Sequence, residues 1–212
     1  VTPFTTLTAV AAPLLRDNID TDAIIPSREI TTVAKTGLAD GLFAGWRYTE
    51  IAGRDPVAGF VLNDPVYSGA RILLAGANFG CGSSREHAAW AMAEYGFRAI
   101  VAASFNLIFR GNAIRNGMLP VELPAVVIAA IAREIGVDPA ARPVLVDLPG
   151  QRLTTAKGST YNFKIEHEAK AMLICGLDSI DLTWERREEI ANFRAADRLA
   201  RRWAYPEKSD GR

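Results

Sequence analysis

Ser83, Ser84 and Arg85 follow one another in LLAGANFGCGSSREHAAWAM, Leu73 to Met92, after three glycines and a cysteine. Two hydroxyls and a guanidinium at the mouth of a helix suit the binding of an anion. A helix start offers unpaired N–H groups, and an arginine there completes a carboxylate clamp. The same residues also have a plainer reading. Ser83-x-x-Glu86 before an apolar run is a capping box, in which the two side chains satisfy orphan backbone donors. Cys81 taken alone reads as a small filler, and His87 as a hydrogen-bonded helix residue. Arg85 is what a capping box leaves unexplained. A guanidinium at a helix start opposes the macrodipole by ~0.3–1 kcal/mol, a misfit that a bound anion offsets.

Better-known glycine-turn chemistries do not fit. A Walker A loop needs Lys after its second glycine, and none follows Gly76, Gly80 or Gly82. A dinucleotide fingerprint starting at Gly80 needs a small residue where Arg85 stands. A nucleophile elbow around Ser84 finds Gly82 on one side but Glu86 on the other. His87 lies too close along the same helix to serve as a triad base.

The elements that must position this turn are legible around it. RILLAG (Arg71–Gly76) and RAIVAAS (Arg98–Ser104) read as buried strands, with SREHAAWAMAEYG between them as a helix closed by Gly96. NLIFRGNAIRNG predicts a second helix, MLPVEL a strand and PAVVIAAIAREIG a further helix. RPVLVDLPG, QRLTTAKG and STYNFKI carry strand signals, and EHEAKAMLICG reads as a helix ending at Gly176. From Leu182 to Trp203 the chain is rich in Glu and Arg, with Ile190 and Phe193 on one side, which predicts a solvated surface helix. The glycine-rich stretch 31–59 shows no core periodicity and reads as a mobile loop beside the site.

The totals narrow the class. With 212 residues the chain suits one domain spanning 1–212, with 184–212 as a C-terminal helix and tail. Lys plus Arg number 24 and Asp plus Glu 24, so no basic excess points to nucleic acid or an anionic membrane. VTPFTTLTAVAAPLL has neither a positive n-region nor a long apolar stretch, so neither a signal peptide nor a membrane span is expected. Two cysteines and two histidines suit a reducing cytoplasm and lack the spacing for a zinc or iron–sulfur site held by this chain alone.

GANFGCGSSREHAAWAM resembles the signature of the aconitase superfamily's swivelling domain, and in particular the family of free-standing 3-isopropylmalate dehydratase small subunits. NIDTDAIIP (Asn18–Pro26), FVLNDPVYSGARILLAG, YGFRAIVAASFNLIFRGNAIRNGMLPV and GLDSIDLT (Gly176–Thr183) resemble further motifs of that family, so the likeness spans nearly the whole chain. It implies an α/β fold, a swivelling β/β/α domain with a mixed sheet and flanking helices. It also implies a hydro-lyase that interconverts 2- and 3-isopropylmalate in leucine biosynthesis, acting on a hydroxy diacid. The partner is a large subunit carrying a [4Fe-4S] cluster, and this chain binds no cofactor of its own. By resemblance Ser83 is the proton-abstracting base, and Ser84 and Arg85 hold the substrate carboxylate. Gly80 and Gly82 let backbone N–H groups approach it. Asp22 matches an active-site aspartate, although a turn-forming role beside Asp20 is an equal reading. Lys35 is a further candidate for carboxylate contact. The loop SREITTVAKTG departs from the family pattern. Arg28 there lends weight to another diacid, methylmalate/citraconate or homoaconitate, and a non-catalytic anion-binding module is the alternative of another class.

Overall fold

The computed structural model describes residues 2–51, 53–83, 85–136 and 138–205. Its centre is a parallel sheet of four strands, β2 (Ala11–Leu14), β3 (Ile72–Ala75), β4 (Ala99–Ala102) and β5 (Leu119–Glu122), lying side by side in chain order. The register sets Ile72 against Ala99 and Ala99 against Leu119. Strands β3 and β4, ILLA and AIVA, are buried at every position. That is why they read as unbroken apolar runs rather than as an alternation. A second sheet is wholly antiparallel: β1 (Thr6–Ala9), β6 (Val144–Asp147), β7 (Arg152–Thr154) and β8 (Thr160–Asn162). Only Val10 separates β1 from β2, so the chain crosses from one sheet to the other there. Parallel and antiparallel pairings thus occupy separate sheets within the expected α/β architecture.

Successive residues of the parallel strands feed two cores. Leu73, Ile100 and Ala102 pack with Ala88, Ala89 and Met92 of α3 (Glu86–Tyr95) and Phe109 of α4 (Leu107–Arg115). Ile72, Leu74, Val101 and Val121 face the other way, toward Val144, Val146 and Leu153 of the antiparallel sheet. Helix α5 (Ala125–Ile135) closes that core with Ile128, Ile131, Ala132 and Ile135. This one-face spacing repeats every three to four residues, and each large side chain contributes about 1.5–3 kcal/mol by leaving water. Leu173 of α6 (His167–Cys175) joins the same core. Helix α3 stops where Gly96 takes φ 116°, a left-handed conformation open to glycine at little cost.

One expectation needs correction here. Within 31–59, the expected loop, Leu38, Leu42 and Phe43 are fully buried and α2 (Ala44–Arg47) follows them. Phe43 stacks on Trp46 with ring centroids 5.8 Å apart. Two short turns, broken by glycines, bury one apolar cluster without filling a full period, so no periodicity shows. The tail forms two helices, α7 (Ser179–Glu185) and α8 (Arg187–Ala200), and α8 has no buried residue. Residues 206–212 of the expected tail lie outside the described residues. Among the described residues no helix is long and apolar enough to cross a membrane.

Candidate active site

Two loops at the carboxyl ends of neighbouring parallel strands make the site, one after β2 and one after β3. They are stitched together along their length. The Asp17 carboxylate accepts from the Ala77 amide at 2.6 Å, and the Asn18 amide donates to the Ala77 carbonyl at 2.8 Å. Asn78 Nδ2 donates to Asn18 Oδ1 at 2.8 Å. Both asparagines hold left-handed backbone, φ 55° and 56°, which their residue type tolerates better than most. Further on, Asp20 and Cys81 pair as a short parallel bridge, and the Thr21 amide donates to the Cys81 carbonyl at 2.9 Å.

That stitching demands the glycines. A Cβ on Gly76 would lie 2.2 Å from Asp17 Oδ1 and 2.6 Å from the Arg16 carbonyl oxygen. On Gly80, at φ 75°, it would enter the Phe109 ring, 2.2 Å from Cγ. Gly80 is buried and its amide donates to the Ile19 carbonyl at 2.7 Å. The Gly80 amide is therefore spent on the fold. Gly82, at φ 86°, is exposed at the tip of the turn.

The two aspartates of DTD divide the work. Asp20 caps the short helix α1 (Thr21–Ile24), its Oδ1 accepting from the Ala23 amide at 2.6 Å. The turn-forming role belongs to Asp20, and Asp22 is left facing outward. Arg85 Nη1 donates to Asp22 Oδ1 at 2.7 Å across 63 residues of sequence, and to Ser27 Oγ at 2.8 Å. Ser27 also donates to Asp22 Oδ1, through Oγ at 3.1 Å and through its amide at 3.3 Å. Burial pushes the Asp22 carboxyl up, but the bonds from Arg85 and Ser27 and the Arg85 charge outweigh it, so it titrates below its ordinary value.

The capping box expected from Ser83 and Glu86 does not form. Helix α3 takes Arg85 as its N-cap, with no side-chain capping bond. Glu86 Oε1 instead accepts from Trp90 Nε1 at 3.3 Å and Asn116 Nδ2 at 3.2 Å. The turn keeps Ser83 two residues before the N-cap, and exposed. A capping box does occur elsewhere, between Asp178 and Asp181 at the start of α7. Ser84 lies outside the described residues.

Lys35 is exposed, with Nζ 5.4 Å from the Trp90 ring centroid, and so sits over α3 rather than on the turn. Its loop is latched at its far end by Glu94, whose carboxylate accepts from the amides of Gly37, Leu38 and Ala39 at 2.7, 2.6 and 3.0 Å. Arg28 is paired, Nε to Glu29 at 3.5 Å, and Glu29 also takes Arg54 Nη2 at 2.8 Å. Sequence reasoning missed Ser27 and Glu94. Ser27 had one signal, its place directly after the IIP motif, whereas Glu94 had none in its own neighbourhood.

The description aconitase C-terminal domain applies to a family model that matches residues 1–126. The chain is 54% identical over 203 residues to the 3-isopropylmalate dehydratase small subunit of Cupriavidus necator, covering 96% of this chain and 98% of the relative. It is 46% identical over 193 residues to that of Salinispora arenicola, covering 91% and 94%. The chain belongs to this family, the small-subunit branch of the aconitase C-terminal domain. A solved 3-isopropylmalate dehydratase structure from Methanocaldococcus jannaschii superposes with a TM-score of 0.64 at 28% identity, over 89% of this chain and 99% of that one. The [4Fe-4S] cluster that the resemblance implies does not fit the residues here. Among the described residues no three His, Cys, Asp or Glu side chains group closely enough to hold a metal ion.

Proposed function

We propose that the chain is the small subunit of a 3-isopropylmalate dehydratase in the cytoplasm, with Ser83 taking the proton from carbon. Dehydration breaks a C–H bond, its electron pair forms the carbon–carbon double bond, and hydroxide leaves the neighbouring carbon. Rehydration places hydroxyl and hydrogen the other way round. In this reading the [4Fe-4S] cluster is on the large subunit and supplies the Lewis acid for the departing hydroxyl. Ser83 accepts and returns the proton, Arg85 binds a substrate carboxylate, and Gly82 leaves the turn without a side chain at its tip. Unpaired Cys81 and Cys175 are compatible with a reducing compartment.

One observation carries the reading: an arginine and an aspartate 63 residues apart meet beside an exposed serine at the carboxyl ends of parallel strands. The homoaconitate alternative needs a second cation for a longer acidic arm, for which Arg28, sharing the single Glu29 carboxylate with Arg54, is the candidate. Assembled with the large subunit, Ser83→Ala should lose about 10²–10⁴ of kcat on 3-isopropylmalate, the range of a missing acid–base group. Undiminished turnover would leave only the anion-binding module standing. Running the same assay on citraconate separates the diacids.

A further inference from the structure

We propose that Ser27 and Asp22 are positioning residues that grip Arg85 by one nitrogen and so present its other edge, Nε and Nη2, to a substrate carboxylate; this rests on the function proposed above. Three of the contacts meet at one atom, Asp22 Oδ1, reached by Arg85 Nη1 at 2.7 Å, Ser27 Oγ at 3.1 Å and the Ser27 amide at 3.3 Å. A fourth closes the triangle, Arg85 Nη1 donating to Ser27 Oγ at 2.8 Å. A hydroxyl has one proton and two lone pairs, so Ser27 donates to the carboxylate and accepts from the guanidinium at once. A planar group held at one nitrogen by two acceptors has little freedom left to rotate.

Among the described residues, nothing accepts from Nε or Nη2 of Arg85, and the side chain is 28% exposed. Those two nitrogens form a fork that matches the two oxygens of a carboxylate. Asp22 then works through Arg85 rather than on the reacting atoms. Ser27 opens a short turn, Ser27–Glu29, whose direction Pro26 sets at φ −59°. The divergent loop thus reaches the substrate indirectly, through the arginine it braces.

The test uses the complex with its large subunit and 3-isopropylmalate. Ser27→Ala should raise KM about tenfold, the scale of one hydrogen bond to a charged group, while kcat stays within roughly twofold. Ser27→Thr, which keeps the hydroxyl, should recover most of the loss. In an Asp22→Ala background, Ser27→Ala should add less than about twofold, because the two residues act as one device. A Ser27→Ala KM within about twofold of the parent overturns the proposal, as does a full tenfold effect on top of Asp22→Ala or no recovery with Thr. If Ser83→Ala remains active, the functional reading itself falls, whatever Ser27 does.

Discussion

Replacing Gly80 by Ala tests how tightly the turn is bound to the core beneath it. The added Cβ would lie 2.2 Å from Phe109 Cγ, 2.5 Å from its Cβ and 2.7 Å from Cδ1, and the backbone would keep φ 75°. A left-handed alanine costs ~1–2 kcal/mol by itself. Forcing a methyl into a packed ring costs a further ~1–3 kcal/mol, because Phe109 is almost fully buried and wedged against Phe79, centroids 5.1 Å apart. The total of about 2–5 kcal/mol corresponds to a Tm lower by roughly 4–20 °C for a chain of this size. Gly158→Ala is the matched control, since Gly158 has φ 88° and nothing within 4 Å of the added atom. It should show the backbone part alone, about 1–2 kcal/mol. Thermal unfolding followed by circular dichroism reads both. Equal losses at the two sites would refute the close approach of the ring. If it is right, Phe109→Ala and Gly80→Ala should be less than additive, because removing the ring makes room for the methyl.

Glu94 sets a pH dependence. Burial raises its carboxyl, but the three loop amides outweigh burial and hold it below its ordinary 4.5, so the latch contributes fully above that pH and is lost as pH falls through the folded value. Urea midpoints of the parent and Glu94→Gln should therefore differ at pH 7 and converge below about pH 4.5; a gap constant with pH refutes the latch. Phe43→Ala should cost about 3–5 kcal/mol, which a Tm scan reads, whereas a surface loop there would show almost no change.

Apolar continuity made β3 and β4 readable, and the glycines after α3 and α6 marked their ends. Both signals are local, because a doubly covered strand and a left-handed stop each lie within a few residues. The 38–47 segment failed the same test, since its buried residues sit on two glycine-interrupted turns too short to show a period. The capping box failed differently. Ser83 and Glu86 have the right spacing, yet Glu86 is claimed by Trp90 and Asn116, the latter 30 residues away. The pairing of Asp22 with Arg85 was equally out of reach of spacing. Resemblance named both residues, but it is the stitching of the two loops, up to the bridge between Asp20 and Cys81, that brings them side by side.

The exposure of the cluster bears on what a partner surface would do to it. Asp22 keeps 59% of its side chain in solvent and Arg85 28%, and an ion pair that wet contributes only about 0.2–1 kcal/mol. A clamp that weak orients the guanidinium but does not by itself select a ligand strongly. It leaves the guanidinium able to take a second carboxylate at little cost. Covering the turn with a partner surface would exclude water, lower the local dielectric and strengthen every one of these contacts at the moment substrate is enclosed. On that argument the rigid stitching of Asp17, Asn18 and Asp20 to the glycine turn matters more than the pair itself. It holds the groups in place before the environment that makes them strong has formed.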